Sequence, residues 1–229
     1  MSIGVLREGP LHAALKDWLA EPGDRAEVRV DRFHIDLVRA DGELVEVQTG
    51  SFGPLGPKLD LLLESHRMRI VHPIAAQRRI VRVDEHGEVL AARRSPKRAG
   101  TVELFHALVG LPTLLDHPNL VVEVILTSED HVRTATTARR RRRQSDSGER
   151  RLVEVLERVE LRRPDDLLSA LPPLPDDAFT TRELAAALRC PVALAQRAAY
   201  RLRALELVEA AGKRGHAPLH RLRRASSDR

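Results

Sequence analysis

A chain of 229 residues suits one large or two small domains with a real core, and its net charge of +5, from 38 Lys and Arg against 33 Asp and Glu, favours a polyanionic partner through non-specific attraction. No run approaches the roughly 18 uninterrupted apolar residues of a membrane span; Arg7, Glu8 and Lys16 break any signal-peptide pattern; and the single cysteine, Cys190, excludes an intramolecular disulfide and a cysteine-built zinc cluster, as expected of a cytoplasmic protein. Aromatic residues make up 3%, which argues against a reader that stacks single-stranded bases, and the Arg-, Ala- and Leu-rich mix is that of a GC-rich bacterial genome.

In chain order, Leu11, Leu15, Trp18 and Leu19 recur at helical spacing after Pro10 and predict a first amphipathic helix. Glu21-Pro22-Gly23-Asp24 stops it, and a short strand is expected over Ala26–Val30. Next come two alternating runs, Phe33–Val38 and Leu44–Thr49, on either side of Ala40-Asp41-Gly42, which predict a β-hairpin. The turn length decides what the hairpin presents. A two-residue loop at Asp41-Gly42 pairs Asp36 with Val47 and sends Glu46 to the opposite face. A three-residue loop with Gly42 in the left-handed conformation pairs Asp36 with Glu46. The second register keeps Ile35, Leu37, Val45 and Val47 together as a core face, with Asp36, Glu46 and Gln48 on the other. Facing carboxylates repel and cost sheet stability. A divalent cation offsets that cost most simply, and oxygen-only ligands suit magnesium or manganese and phosphodiester hydrolysis. The alternative is an amphipathic hairpin whose polar face meets solvent.

The Gly/Pro-rich stretch from Gly50 to Pro57 reads as a strand-to-helix turn; no Gly-Lys-Ser/Thr follows to make a phosphate loop. A helix over Lys58–Arg67 buries Leu59, Leu62 and Leu63, and strands are expected over Arg69–Ala75, Ile80–Val83 and Glu88–Ala92. A basic loop from Arg93 to Arg98, a helix over Val102–Val109 and a buried strand over Leu120–Leu126 follow. His66, His72, His106, His117 and His131 show no metal-ligand spacing and read as ordinary surface or core residues. Five arginines, 139–143, form a basic linker suited to riding the DNA backbone and equally to simple solvation. Leu152–Leu161 fits both a helix and a strand, with Pro164 ending it.

Asp36 followed by Glu46-Val47-Gln48 on the next strand resembles the PD-(D/E)xK nuclease superfamily, in its variant with Gln in place of the motif lysine. There is no Pro before Asp36. The predicted order helix, strand, hairpin, helix, strand agrees with that resemblance, which implies an α/β (α+β) restriction-endonuclease-like core with a mixed sheet over residues 1–133. It further implies Asp36 and Glu46 as magnesium or manganese ligands, Gln48 positioning water or metal, and Glu8, at the start of the first helix, assisting at the metal. Lys58, at the start of the next helix, would be a migrated lysine within about one salt-bridge length of the carboxylates, or one water beyond.

After a basic connector over 134–175 with one short element, the stretch from Asp176 to Leu222, within a domain spanning 176–224, resembles a winged helix-turn-helix. Thr180 and Glu183 have capping-box spacing, Arg189-Cys190-Pro191 makes the turn, and Val192–Leu205 is the second helix. Strands over Leu207–Ala211 and Pro218–Leu222 flank a tip at residues 212–216. The resemblance implies Gln196, Arg197, Tyr200 and Arg201 at base edges and Lys213 and Arg214 at phosphate or minor groove. A winged helix used for protein contact is the competing role. The expectation is a metal-dependent DNA endonuclease; the alternative is a non-catalytic DNA-binding regulator whose nuclease-like domain is degenerate or serves dimerisation. RNA as substrate and a homodimer stay open.

Overall fold

Pro10 opens helix α1 (Pro10–Leu19), where its missing N–H leaves no helical bond unmade. The structure, a computed structural model, describes residues 9–108, 115, 117–134 and 148–223. Glu8 and the arginine run 139–143 lie outside the described residues. After α1 the chain forms β1 (Arg25–Val30), β2 (Phe33–Val38) and β3 (Leu44–Val47), a 3₁₀ turn (Gly53–Leu55) that runs into α2 (Gly56–Leu62), then β4 (Met68–Val83) and β5 (Val89–Arg94). A second 3₁₀ turn (Thr101–Glu103) leads into α3 (Leu104–Ala107), followed by β6 (Leu120–Thr134), β7 (Glu149–Leu161) and α4 (Pro164–Ser169).

These strands make one seven-stranded mixed sheet in the order β1-β2-β3-β4-β6-β7, with β5 paired to β4. β1, β2 and β3 are antiparallel, β3, β4 and β6 run parallel, and β7 returns antiparallel to β6. On one side Leu11, Leu15 and Leu19 of α1 pack on Leu37, Val45, Val47, Val71 and Ile125. On the other, Phe52, Leu59, Leu62 and Phe105 cover Ile70, Val122 and Val124. Both faces of the central strands are therefore buried, as parallel strands require.

The structure changes some expectations and settles one left open. The two strands expected over residues 69–75 and 80–83 are one strand, β4, because β6 pairs with it along its whole length and holds the polar stretch Gln77-Arg78-Arg79 extended through a bulge at Ala75/Gln77. Residues 152–161, which fit helix or strand, make up most of β7: Val155 and Val159 supply the β-branched alternation, and pairing to β6 decides the matter. The connector expected over 134–175 thus contributes a 13-residue strand to the sheet, and α4 as well. The helices are also shorter than expected, α2 ending at Leu62 and α3 spanning four residues.

Beyond α4 come β8 (Phe179–Thr180), α5 (Thr181–Ala187), α6 (Val192–Ala204), β9 (Val208–Arg214) and β10 (Ala217–Leu222), the strands forming a second, antiparallel sheet in the order β8-β10-β9. Thr180 caps α5: its side chain accepts from Glu183 N while its own N–H donates to the Glu183 carboxylate. Phe179, Leu184, Ala198 and Leu202 join the same apolar core as the large sheet. No helix among the described residues is long and apolar enough to cross a membrane.

A buried charge network ties the strands together. Glu123 on β6 is fully buried, and its carboxylate meets Arg69 of β4 at 2.8 Å and Arg158 of β7. Arg69 also reaches Glu160 of β7 at 2.6 Å and Glu43, just before β3, at 3.1 Å. Removing Arg69 leaves the buried Glu123 carboxylate with Arg158 as its remaining cation and takes the partner from Glu43, 14% exposed. Arg69→Met is therefore expected to lower stability by about 3–5 kcal/mol in urea unfolding; a loss below about 1 kcal/mol, the scale of an exposed ion pair, would show that the network is solvated.

Candidate functional site

The site begins with the hairpin register. Leu37 pairs with Val45 and Val38 with Leu44, which sets Asp36 of β2 opposite Glu46 of β3. The loop is the three-residue Ala40-Asp41-Gly42: Arg39 N donates to Glu43 O at 2.9 Å, and Gly42 takes φ +87, open to glycine at no steric cost. At the end of β3 a side chain takes over from the ladder, the Val47 N–H donating to Asp36 Oδ2 at 2.7 Å.

Two helices then bring nitrogen atoms to the carboxylates. From α1, His12 Nε2 lies 3.2 Å from Asp36 Oδ2. From the first turn of α2, Lys58 Nζ sits 2.6 Å from Glu46 Oε1 and donates to the His34 carbonyl at 2.8 Å. The distance expected of Lys58 is met. Neither carboxylate faces open solvent: the side chains of Asp36 and Glu46 are 14% and 12% exposed. Burial pushes Glu46 above the usual carboxylate range and the Asp36 charge adds to the rise, against the pull of Lys58 and His12. Its second oxygen, Oε2, is buried with no hydrogen-bond partner.

Gln48 does not turn toward this pair. Its side-chain amide donates to the Ser51 carbonyl, and its own carbonyl bonds His72 Nδ1 at 2.6 Å. Glu8 lies outside the described residues. Among the described residues no three His, Cys, Asp or Glu side chains converge as a metal-ligand set. His12 was missed from sequence because nothing local signals a partner 24 residues away.

At the second sheet, Gln196, Arg197 and Tyr200 are exposed on α6 and Lys213 on β9. Arg197 is engaged, however, its Nη1 donating to His106 Nδ1 of α3 at 2.6 Å. Arg214 is likewise tied down, to Glu183 at 2.6 Å and the Ala178 carbonyl at 3.1 Å. Arg201 is not on the outer face: it is 5% exposed, its guanidinium 5.0 Å over the Tyr200 ring. The helical period aligns residue 201 with Leu194 and Ala198 on the buried stripe; its charge had argued for the surface.

Comparison with known proteins adds family membership. No solved structure matches the chain. An uncharacterized protein of Treponema pallidum (strain Nichols) is 32% identical over 172 residues, covering 75% of this chain and 68% of the relative. Residues 9–162 match the family described as Domain of unknown function (DUF8091), a span that runs from the start of α1 to one residue past β7. The part of the chain that builds the large sheet and carries Asp36, Glu46 and Lys58 therefore belongs to that family.

Proposed function

We propose that the chain is a metal-dependent endonuclease of the PD-(D/E)xK kind that hydrolyses phosphodiester bonds in DNA. The observation that carries this reading is Asp36 facing Glu46 in a half-closed site, with Lys58 delivered to Glu46 from the next helix. The element order α1, β1, β2–β3 hairpin, α2, β4 is the one the resemblance implies. All-oxygen donors and the unpartnered, buried Glu46 Oε2 fit a hard divalent cation. Asp36 and Glu46 would hold magnesium or manganese, with Glu8 as a third carboxylate. When bound, the ion supplies Lewis-acid stabilisation of phosphate charge and an acidified water. Lys58 puts a fixed positive charge where the phosphoryl oxygens gain charge. His12 and the Val47 N–H fix the Asp36 carboxylate so that its orientation is set before substrate arrives.

β8, α5, α6, β9 and β10 form a winged helix on this reading, which brings the endonuclease to DNA through Gln196, Tyr200 and Lys213, in the cytoplasm. A second reading, a non-catalytic DNA-binding regulator, has one observation in its favour: Gln48 spends its amide on Ser51 and leaves the third motif position outside the site.

With manganese present, the wild-type protein is expected to nick supercoiled plasmid, and Asp36→Ala or Glu46→Ala to abolish nicking with an unchanged circular dichroism spectrum. Lys58→Met should lower kcat by roughly 10²–10³, the usual loss for one charge-stabilising donor. Wild-type protein that neither nicks DNA or RNA nor binds manganese by calorimetry contradicts the enzyme reading.

The raised Glu46 carboxyl sets a pH dependence. Metal binding needs the deprotonated form, so manganese affinity should weaken on acidification at a pH above the 4.5 of an ordinary Glu. Lys58→Met removes a charge that favours the carboxylate, so the fall should move to still higher pH. A calorimetric profile that stays flat down to pH 4.5 would mean that Glu46 does not carry the ion.

For the winged unit, substituting Lys213 in the full chain should weaken duplex binding on all sequences and flatten the salt slope, whereas Gln196→Ala should alter sequence preference. Unchanged affinity in both assigns this face to a protein partner.

A further inference from the structure

One edge of β4 is paired throughout by β6, but the other is paired by β3 only at residues 68–71 and by β5 only at 79–83. Between them the strands part, and the gap opens as a cleft of about 360 Å³, beside the loop that leaves the Glu-x-Gln strand. Thr49, Gly50 and Ser51 form that wall, so the cleft begins one residue beyond Gln48. That volume sits at the small end of the ~300–1,000 Å³ range of ligand pockets.

Six basic or imidazole side chains converge here from distant parts of the chain: His72, Arg78, Lys97, His106, His131 and Arg150. Read singly, the three histidines had looked ordinary. Arg150 is aimed by a two-point contact, Nε and Nη2 bonding the fully buried Glu129 carboxylate at 2.8 and 2.9 Å. Thr127 and His131 also meet that carboxylate. Lys97 lies 3.3 Å from Glu103, the acidic residue in the lining. Arg78 is different. Among the described residues it makes no ion pair, and its Nε is buried without a hydrogen-bond partner. Arg78 is half-exposed and lines the cleft, so an anion there can meet its guanidinium without displacing another partner.

His72 adds a second kind of group. Its Nδ1 meets a carbonyl, which can only accept, so Nδ1 carries the proton. Buried and neutral, with a pKa lowered to about 4 mainly by burial, the ring keeps Nε2 as an acceptor. A phosphate monoester is mostly dianionic at neutral pH and has little proton to give it, but a sugar hydroxyl does. Cations beside a neutral acceptor suit a molecule that carries both a phosphate and a hydroxyl, as a nucleotide does. A phosphate monoester offers three terminal oxygens, one for each of Arg78, Lys97 and Arg150, where a bridging diester offers two.

We propose that this cleft binds the phosphate monoester of a nucleotide, with Arg78, Lys97 and Arg150 on the phosphate and His72 Nε2 on a sugar hydroxyl. The assignment rests on the nuclease reading only in placing that phosphate one loop from Asp36 and Glu46; the cleft itself stands on its own residues. A nucleic-acid strand end and a free mononucleotide share this chemistry.

The test uses the full-length protein without divalent ions, so cleavage plays no part. Binding is measured by anisotropy and competition in two arms. One compares an oligonucleotide ending in phosphate, at the 5′ or the 3′ side, with the same strand ending in hydroxyl; the other compares adenosine monophosphate with adenosine. The phosphorylated member of at least one arm should bind about tenfold more tightly, the worth of one charge-assisted hydrogen bond. The arm that responds identifies the source. Arg78→Met should erase the preference and Arg78→Lys restore part of it, while Asp36→Ala leaves it intact, which separates this result from loss of cleavage. No phosphate preference in either arm, or a preference that survives Arg78→Met combined with Lys97→Met, overturns the proposal.

Discussion

Two like charges held face to face in a half-closed space set the terms for the rest of the structure. Asp36 and Glu46 are cross-strand neighbours, so their repulsion is built into the hairpin register and no side-chain rotation removes it. Burial sharpens it, because charge–charge energies grow as the effective dielectric falls. The surrounding chain supplies partial compensation from three directions: a backbone N–H from β3, an imidazole from α1 and an ammonium from α2. One carboxylate oxygen is still left unpartnered. A fold selected only for stability would replace such a pair, and residues that cost stability mark functional sites.

The architecture explains how the three compensating groups meet. β3 lies inside the sheet between β2 and β4, with helices on both faces, so α1 and α2 approach the end of one hairpin from opposite sides. Loop 48–52 and the following 3₁₀ turn reverse the chain tightly enough for α2 to return over β3 and bring Lys58 back to Glu46. The same divergence of β3 from β4 leaves part of a strand edge unpaired and opens the basic cleft. Carboxylate pair and cation cluster are two ends of one topological feature.

Much of the site was legible in the sequence because its signals are local. A period of two, a Gly at the turn and the need to keep the apolar residues together fixed the register of β2 against β3 before any contact was known, although Ile35 joins the other core cluster while Leu37, Val45 and Val47 stay together. The Thr180–Glu183 cap spans three residues and was equally readable. What escaped depends on pairing across the fold. Leu152 to Leu161 became strand because β6 was there to pair with it. Gln77-Arg78-Arg79 reads as a loop until β6 is seen alongside. Arg201 was misplaced because its charge was given more weight than its helical phase. His12, His72 and Arg150 carry no spacing signal, since their partners Asp36, Gln48 and Glu129 lie more than 20 residues away.

The most direct test of the account is to soak crystals of the protein in manganese and record anomalous diffraction. The account predicts a peak between the Asp36 and Glu46 carboxylates, in contact with Glu46 Oε2, with Lys58 still within salt-bridge reach of the pair. No peak there, with the Lys58–Glu46 contact closed over the site, would contradict it and leave the carboxylate pair as a structural ion cluster.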